Sequence, residues 1–244
     1  GVNSINWARI IAQTVYYFYS YFQICKLNEK INFSVPTGNF GDVYAGYLSK
    51  KMGLPIDKLI VATNQNDILH RAISKGMYEA NSVVETLSPS MDIQVASNFE
   101  RLIYDLNEQS ADKTNKIMQE IKIKKKYLIE KKELNKIKED FLSESVSEEE
   151  LLFCIKKVYE NYKMIIDPHT AVGLRALEKI NLNGKNAVLS TAHPCKFPEA
   201  INKAINVKSK LPNELNYILD EKENFVVIQN DIEEVKKYIL NKLI

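Results

Sequence analysis

Cysteine is scarce in this sequence. Cys25, Cys154 and Cys195 are far apart and odd in number. No CxxC pair and no Cys/His cluster occurs, which argues against a disulfide framework and against a zinc or other metal site. Such usage fits a reducing cytoplasm. An excess of one charge sign is missing too. Lysine and arginine number 33 against 31 acidic residues, a formal charge of +2, so nothing in the overall balance points to nucleic acid. A long hydrophobic run is also lacking. The most apolar stretch, 10–25, is interrupted by Gln13, Thr14, Ser20 and Gln23 and is short for a membrane span. No charged n-region with an h-region and cleavage site opens the chain. It starts at Gly1 in what already reads as helix, so a preceding portion is expected. No internal repeat or flexible linker is evident. What remains is an ordinary globular composition, 45% hydrophobic and 26% charged over 244 residues, enough for one large domain or two small ones.

The most informative stretch is Ser34-Val35-Pro36-Thr37-Gly38-Asn39-Phe40-Gly41-Asp42. It follows a short apolar run, 31–35, and leads into a helical run, 43–52. An apolar strand, a tight turn with two glycines three apart, then a helix is the layout of a phosphate cradle. Glycine permits close backbone approach and positive φ. Free N–H groups at a helix start, with the helix dipole, bind anions. The turn lacks the lysine and Ser/Thr of a Walker loop and is not GxGxxG, which disfavours nucleoside triphosphates and dinucleotides. A single phosphoryl group fits; so does a purely structural turn.

The chain before and after that turn alternates. A helix is expected over 7–26, capped by Asn3 or Ser4. Tyr16, Tyr17, Phe18, Tyr19, Tyr21 and Phe22 cover nearly every side of it, which predicts a buried core helix, with a partner or membrane helix as the alternative. Strand 31–35, helix 42–52, strand 58–62 and helix 67–75 imply parallel strands with helices on the faces. A loop is expected at 87–92 and helices at 94–106 and 111–126. The lysine-rich section around 122–138, diluted by glutamates, reads as a solvated face rather than a nucleic-acid patch, and 111–147 is the one plausible helical insertion. Ser147 and Glu150 form a capping box ahead of a helix to 162. Asp167 caps a helix that starts with Pro168 and runs to 180. Then come strand 185–191, helices at 198–205 and 213–219, strand 225–228 and a terminal helix 231–243. The fold class expected is α/β, an open, largely parallel sheet flanked by helices. Its ligand crevice lies at the carboxyl ends of the strands.

Several residues near that crevice carry chemistry. Thr191, at the end of a strand, is as well placed for a ligand as the glycine turn. His193 reads as a hydrogen-bonded loop residue or a catalytic one. His70 and His169 look isolated, with surface or capping roles. Cys195 has no evident base to activate it. Asp92, Asn98 and Arg101 share a neighbourhood, and Arg101 suits a carboxylate or phosphate, or a plain surface ion pair.

Six ordered blocks resemble the threonine synthases of the longer sequence branch. They are NSINWARIIAQTVYYF from Asn3, SVPTGNFGDVYAGYLSKKMGLP from Ser34, ATNQNDILHR from Ala62, TLSPSMDIQVASNFERL from Thr86, DPHTAVGLRAL from Asp167 and STAHPCKFPEAI from Ser190. They cover most of the chain apart from 107–146 and the C-terminal stretch. The resemblance implies pyridoxal 5′-phosphate and the large domain of fold type II, the tryptophan synthase β-like architecture. It implies that Gly38, Asn39, Phe40 and Gly41 hold the cofactor phosphate and that Thr191 faces the pyridine nitrogen. Ser4, Asn6, Asp92, Asn98 and Arg101 become candidates for the substrate side. The implied reaction turns O-phosphohomoserine and water into threonine and phosphate. The alternatives are a related phospholyase on another amino-acid phosphoester, or a non-catalytic phosphate- or cofactor-binding paralogue.

One element of the resemblance is missing. The family's Schiff-base lysine lies upstream in a Phe-Lys-Asp context, and no such motif occurs in these 244 residues. No catalytic lysine is therefore assigned. The chain alone is expected to be unable to complete the reaction and to form an incomplete cofactor-binding region. No nucleic acid or membrane partner is implied, and oligomeric state is not legible.

Overall fold

The computed structural model describes residues 3–243. Its strands are β1 (Ile31–Pro36), β2 (Ile56–Thr63), β3 (Met77–Glu79), β4 (Lys126–Leu128), β5 (Phe141–Ser145) and β6 (Lys185–Val188). Its helices are α1 (Trp7–Ile24), α2 (Gly41–Lys51), α3 (Ile68–Lys75), α4 (Phe99–Leu106), α5 (Ala111–Lys124), α6 (Lys131–Asp140), α7 (Glu148–Tyr162), α8 (Pro168–Ile180), α9 (Pro198–Ile205) and α10 (Ile232–Leu243). Two compact units divide the chain, Gly1–Ser209 and Lys210–Ile244.

The first unit is built on a four-stranded sheet in the order β5-β2-β1-β6, every pair parallel. Parallel strands need both faces covered, and the sequence provides for it. β1 is buried along its whole length. Phe33 and Val35 join Leu59 and Val61 in a core cluster with Tyr17 and Tyr44 from α1 and α2. The alternate residues Ile60 and Ala62 face a second cluster with Leu151, Ile155, Val172 and Ala176 from α7 and α8. The expected α/β architecture is the observed one. α1 packs on α2 at Gly46, where a Cβ would lie 2.6 Å from the Tyr17 ring. Tyr17 meets Phe33 edge-on at 4.9 Å, an arrangement worth about 0.5–1.5 kcal/mol beyond the buried area.

Local signals hold where chemistry sets them. Ser147 and Glu150 make the reciprocal capping box of α7. Asp167 caps α8, accepting from the N–H groups of His169 and Thr170, with Pro168 in the first turn. Other expectations need correction. The N-cap of α1 is Asn6, whose Oδ1 accepts from Ala8 N–H at 3.0 Å. α1 is not buried all round. Ile10, Thr14, Tyr17 and Tyr21 are covered, whereas Val15 and Tyr19 are 61% and 67% exposed. A single stripe meets α2, so aromatic density did not translate into burial. The helix expected over 94–106 begins only at Phe99, because Gln94 is turned to Arg71 and Asn81 instead. The strand expected over 185–191 ends at Val188.

The lysine-rich stretch 111–147 contains α5 and α6, but also β4, antiparallel to β3, and then β5. β5 is an edge strand of the main sheet, with Leu59 opposite Phe141. In the second unit, taken by itself, Asn213–Leu219 is a 3₁₀ helix followed by α10. The strand expected at 225–228 is absent there, and Val227 is 85% exposed. Its apolar residues have strand composition, yet none of them enters a ladder among the described residues.

Candidate functional site

β1 and β6 are parallel neighbours, so the glycine turn after Pro36 and the segment after Val188 emerge side by side. Between them lies a cleft of ≈ 770 Å³. Gly38, Asn39, Phe40, Gly41, Ser4, Ser90, His169 and Thr191 all line it. The crevice is therefore where a parallel sheet is expected to place a ligand.

The turn is held by its own side chains and by the core. Thr37 N–H donates to Ala62 O at 2.8 Å, and Thr37 Oγ1 donates to Val35 O at 2.6 Å. Phe40 is in the left-handed region, φ 66°, uncommon for a bulky side chain and retained only where the surroundings demand it. Its ring is fully buried, 5.3 Å from Phe99 and 5.7 Å from Phe141. Gly38 has no room for a side chain, since a Cβ would lie 2.4 Å from Ser90 O. With α2 beginning at Gly41, none of the N–H groups of Gly38, Asn39, Phe40 and Gly41 donates to another protein group among the described residues. Four free donors at a helix start are the chemistry of an anion cradle.

A brace lies behind the turn. Asn98 is fully buried and its Nδ2 donates to Ser4 O at 2.8 Å and Asn39 O at 3.1 Å. Asn98 N–H also donates to Asn39 O, at 3.0 Å. Arg101 donates to Asn98 Oδ1 and to Ile5 O, both at 3.0 Å, and lies 5.1 Å from the Trp7 ring. Of the five residues expected on the substrate side, Ser4 lines the cleft; Asn6, Asp92, Asn98 and Arg101 do not. Asn6 is the cap of α1. Asp92 organises a loop: Oδ1 accepts from Asn64, Asn66 and the Thr86 hydroxyl, and Oδ2 from Thr86 N–H.

On the far wall, Thr191 N–H reaches Thr170 Oγ1 at 3.4 Å. The Thr170 hydroxyl donates to Asp167 Oδ2, whose carboxyl also takes His169 Nδ1 at 3.0 Å. Burial pushes the Asp167 carboxyl up, but the bonds from His169 and Thr170 outweigh it and hold the group below the usual range. Asp42, in the first turn of α2, behaves oppositely. Burial pushes it up to about 6, only partly offset by the Tyr17 hydroxyl 3.2 Å away.

Sequence reading missed several lining residues. Arg9 and Lys196 bring positive charge to the cleft, and no spacing rule links positions so distant. His169, read as isolated, is 4% exposed and lies 4.7 Å from the Phe197 ring. His193 does not line the cleft; its Nδ1 accepts from Cys195 N–H at 3.2 Å.

A parallel sheet with this turn at its carboxyl edge defines the class: the α/β fold of type II pyridoxal-phosphate enzymes. A family model described as "Threonine synthase, C-terminal" matches residues 170–239. The chain is 43% identical to the threonine synthase of Pseudomonas aeruginosa over 242 residues, 98% of this chain and 52% of that protein. It is 45% identical to that of Saccharomyces cerevisiae over 272 residues, 100% of this chain and 53% of the relative. The solved structure of pyridoxal-phosphate-bound threonine synthase from Brucella melitensis superposes with a TM-score of 0.93 at 41% identity, covering 99% of this chain and 52% of that one. The chain is similar to threonine synthases along nearly its whole length and spans about half the length of the relatives it matches.

Proposed function

We propose that this chain forms the cofactor-phosphate side of a threonine synthase active site, in a protein that converts O-phosphohomoserine and water to threonine and phosphate. The observation that carries the reading is the run of four N–H groups at Gly38–Gly41, at the start of α2, that donate to no protein group among the described residues, in residues that line the cleft. These groups fit one phosphoryl oxygen set without a metal. Gly38, Asn39, Phe40 and Gly41 would hold the phosphate of pyridoxal 5′-phosphate, and Thr191, across the cleft, would face its ring nitrogen. Pyridoxal phosphate, when bound, supplies the electron sink for carbanion chemistry at the substrate's Cα and Cβ.

The chain's own residues orient and bind. Thr191 offers a hydroxyl, which cannot protonate a ring nitrogen as strongly as a carboxylic acid. Arg9 and Lys196 lend positive charge to a cleft that would receive two phosphorylated molecules. Asn98 and Arg101 act through the backbone of residues 4, 5 and 39, keeping the turn in shape. Ser4 is the substrate-side candidate that reaches the cleft itself.

The test has two stages. Titration of the chain with pyridoxal phosphate should show binding that inorganic phosphate competes away. With the segment carrying the Phe-Lys-Asp lysine present, O-phosphohomoserine should yield equal threonine and phosphate, whereas the chain alone should yield neither. Phosphate without threonine would replace this reading by a phospholyase of the same architecture.

A further inference from the structure

His169 is a nearly buried histidine that the proposed chemistry leaves without a task. Its ring is fixed on three sides. Nδ1 lies 3.0 Å from Asp167 Oδ1. Nε2 accepts the Ser90 N–H at 3.2 Å. Phe197 lies 4.7 Å away, centroid to centroid. The Asp167 carboxyl is kept ionised by its bonds from His169 and Thr170. An ionised carboxylate only accepts, so Nδ1 must carry a proton. Nε2 is then a bare acceptor, the form the Ser90 N–H requires.

Ser90 is the residue whose carbonyl abuts Gly38, at 2.4 Å from the position of a Cβ there. One residue thus joins the imidazole, through its N–H, to the glycine turn, through its C=O. The far side of the same loop is tied down by Asp92 to Asn64 and Asn66. The near side has no other side-chain tether at Ser90 among the described residues.

We propose that Asp167 and His169 form a positioning pair that clamps Ser90 against Gly38 and so keeps the phosphate cradle preformed. His169 is a positioning residue on this account: it acts through Ser90 and the turn and gives no proton to a reacting atom. This inference rests on the cradle being the site of the cofactor phosphate.

Two measurements test it. The first needs no substitution. Imidazole ¹⁵N shifts of the chain at neutral pH should show His169 protonated on Nδ1 with an unprotonated Nε2; the reverse tautomer would overturn the clamp. The second compares His169→Gln, whose side-chain carbonyl reaches the Nε2 position, with His169→Phe, which fills the space without an acceptor. His169→Phe should weaken binding of pyridoxal phosphate and of inorganic phosphate roughly fivefold to tenfold, the value of one lost hydrogen bond. It should also speed exchange of the Ser90 amide. His169→Gln should recover most of both. Equal weakening by the two variants, or unchanged affinity in His169→Phe, overturns the inference. Absence of binding by the unsubstituted chain instead overturns the cradle reading on which it rests.

Discussion

Gly38 and Ser90 are packed main chain against main chain: a methyl group at position 38 would lie 2.4 Å from the Ser90 carbonyl oxygen. Gly41 is less constrained, its nearest neighbours being Asn98 Nδ2 at 3.3 Å and Ser4 O at 3.5 Å. Gly38→Ala should therefore be the more damaging change, displacing the loop at about 1–3 kcal/mol and weakening phosphate binding at least tenfold. Gly41→Ala should cost less than half as much. Calorimetric titration with pyridoxal phosphate and thermal melts rank the two; an inverted order would show that the Ser90 contact does not govern the cradle.

Asp42 should make stability fall as pH rises. Its folded carboxyl titrates near 6, whereas an unfolded one titrates near 4. Between those values the unfolded state is the more ionised, holds fewer protons, and is favoured as protons are removed. Denaturant melts without ligand should show the loss between about pH 4 and pH 6. Asp42→Asn should remove it and raise stability at pH 7 by on the order of 1–3 kcal/mol. A flat profile in the unsubstituted chain would show that the folded Asp42 carboxyl is not raised, and a loss that persists in Asp42→Asn would assign it to another group.

Asn98→Ala should destabilise by roughly 2–3 kcal/mol, since Ser4 O loses its partner and the Arg101 guanidinium loses an acceptor. The damage should extend to the cradle through Asn39, whose carbonyl takes two bonds from Asn98. Urea melts and phosphate titration on one protein sample report both effects. Loss of stability with unchanged phosphate affinity would separate the brace from the cradle.

Arg9 and Lys196 should matter only as charges. Both are exposed and neither is in an ion pair among the described residues. Replacing either by alanine should leave the melting temperature unchanged and weaken pyridoxal phosphate binding by about fivefold or less at low salt. The deficit should shrink above physiological ionic strength. A salt-independent deficit would mean a direct, desolvated contact.

The parts of this fold that were legible depended on local chemistry. An apolar run before two close glycines marked β1 and the cradle. Caps written in hydroxyls and carboxylates marked α7 and α8. What stayed hidden needed partners far along the chain. Phe141-Leu142-Ser143-Glu144-Ser145 is half polar because β5 sits at a sheet edge, and only Leu59 and its neighbours across the ladder make it a strand. Phe225-Val226-Val227-Ile228 has the opposite problem, strand composition without a ladder. His169 looked isolated since Ser90 is 79 positions away. Asp92, Asn98 and Arg101 were read as one neighbourhood; Asn98 and Arg101 meet behind the turn, Asp92 is bonded to Asn64, Asn66 and Thr86 instead, and none of the three lines the cleft, a matter of side-chain direction that spacing does not encode.

Trp7 is the sequence's single tryptophan, and it lies beneath Arg101, 5.1 Å from the guanidinium. That guanidinium is one bond from Asn98, and Asn98 is one bond from the carbonyl of Asn39. The molecule thus carries a built-in optical reporter. Indole emission, quenched or shifted as the arginine moves, reads the state of the anion turn in a 244-residue chain with no other indole to obscure it.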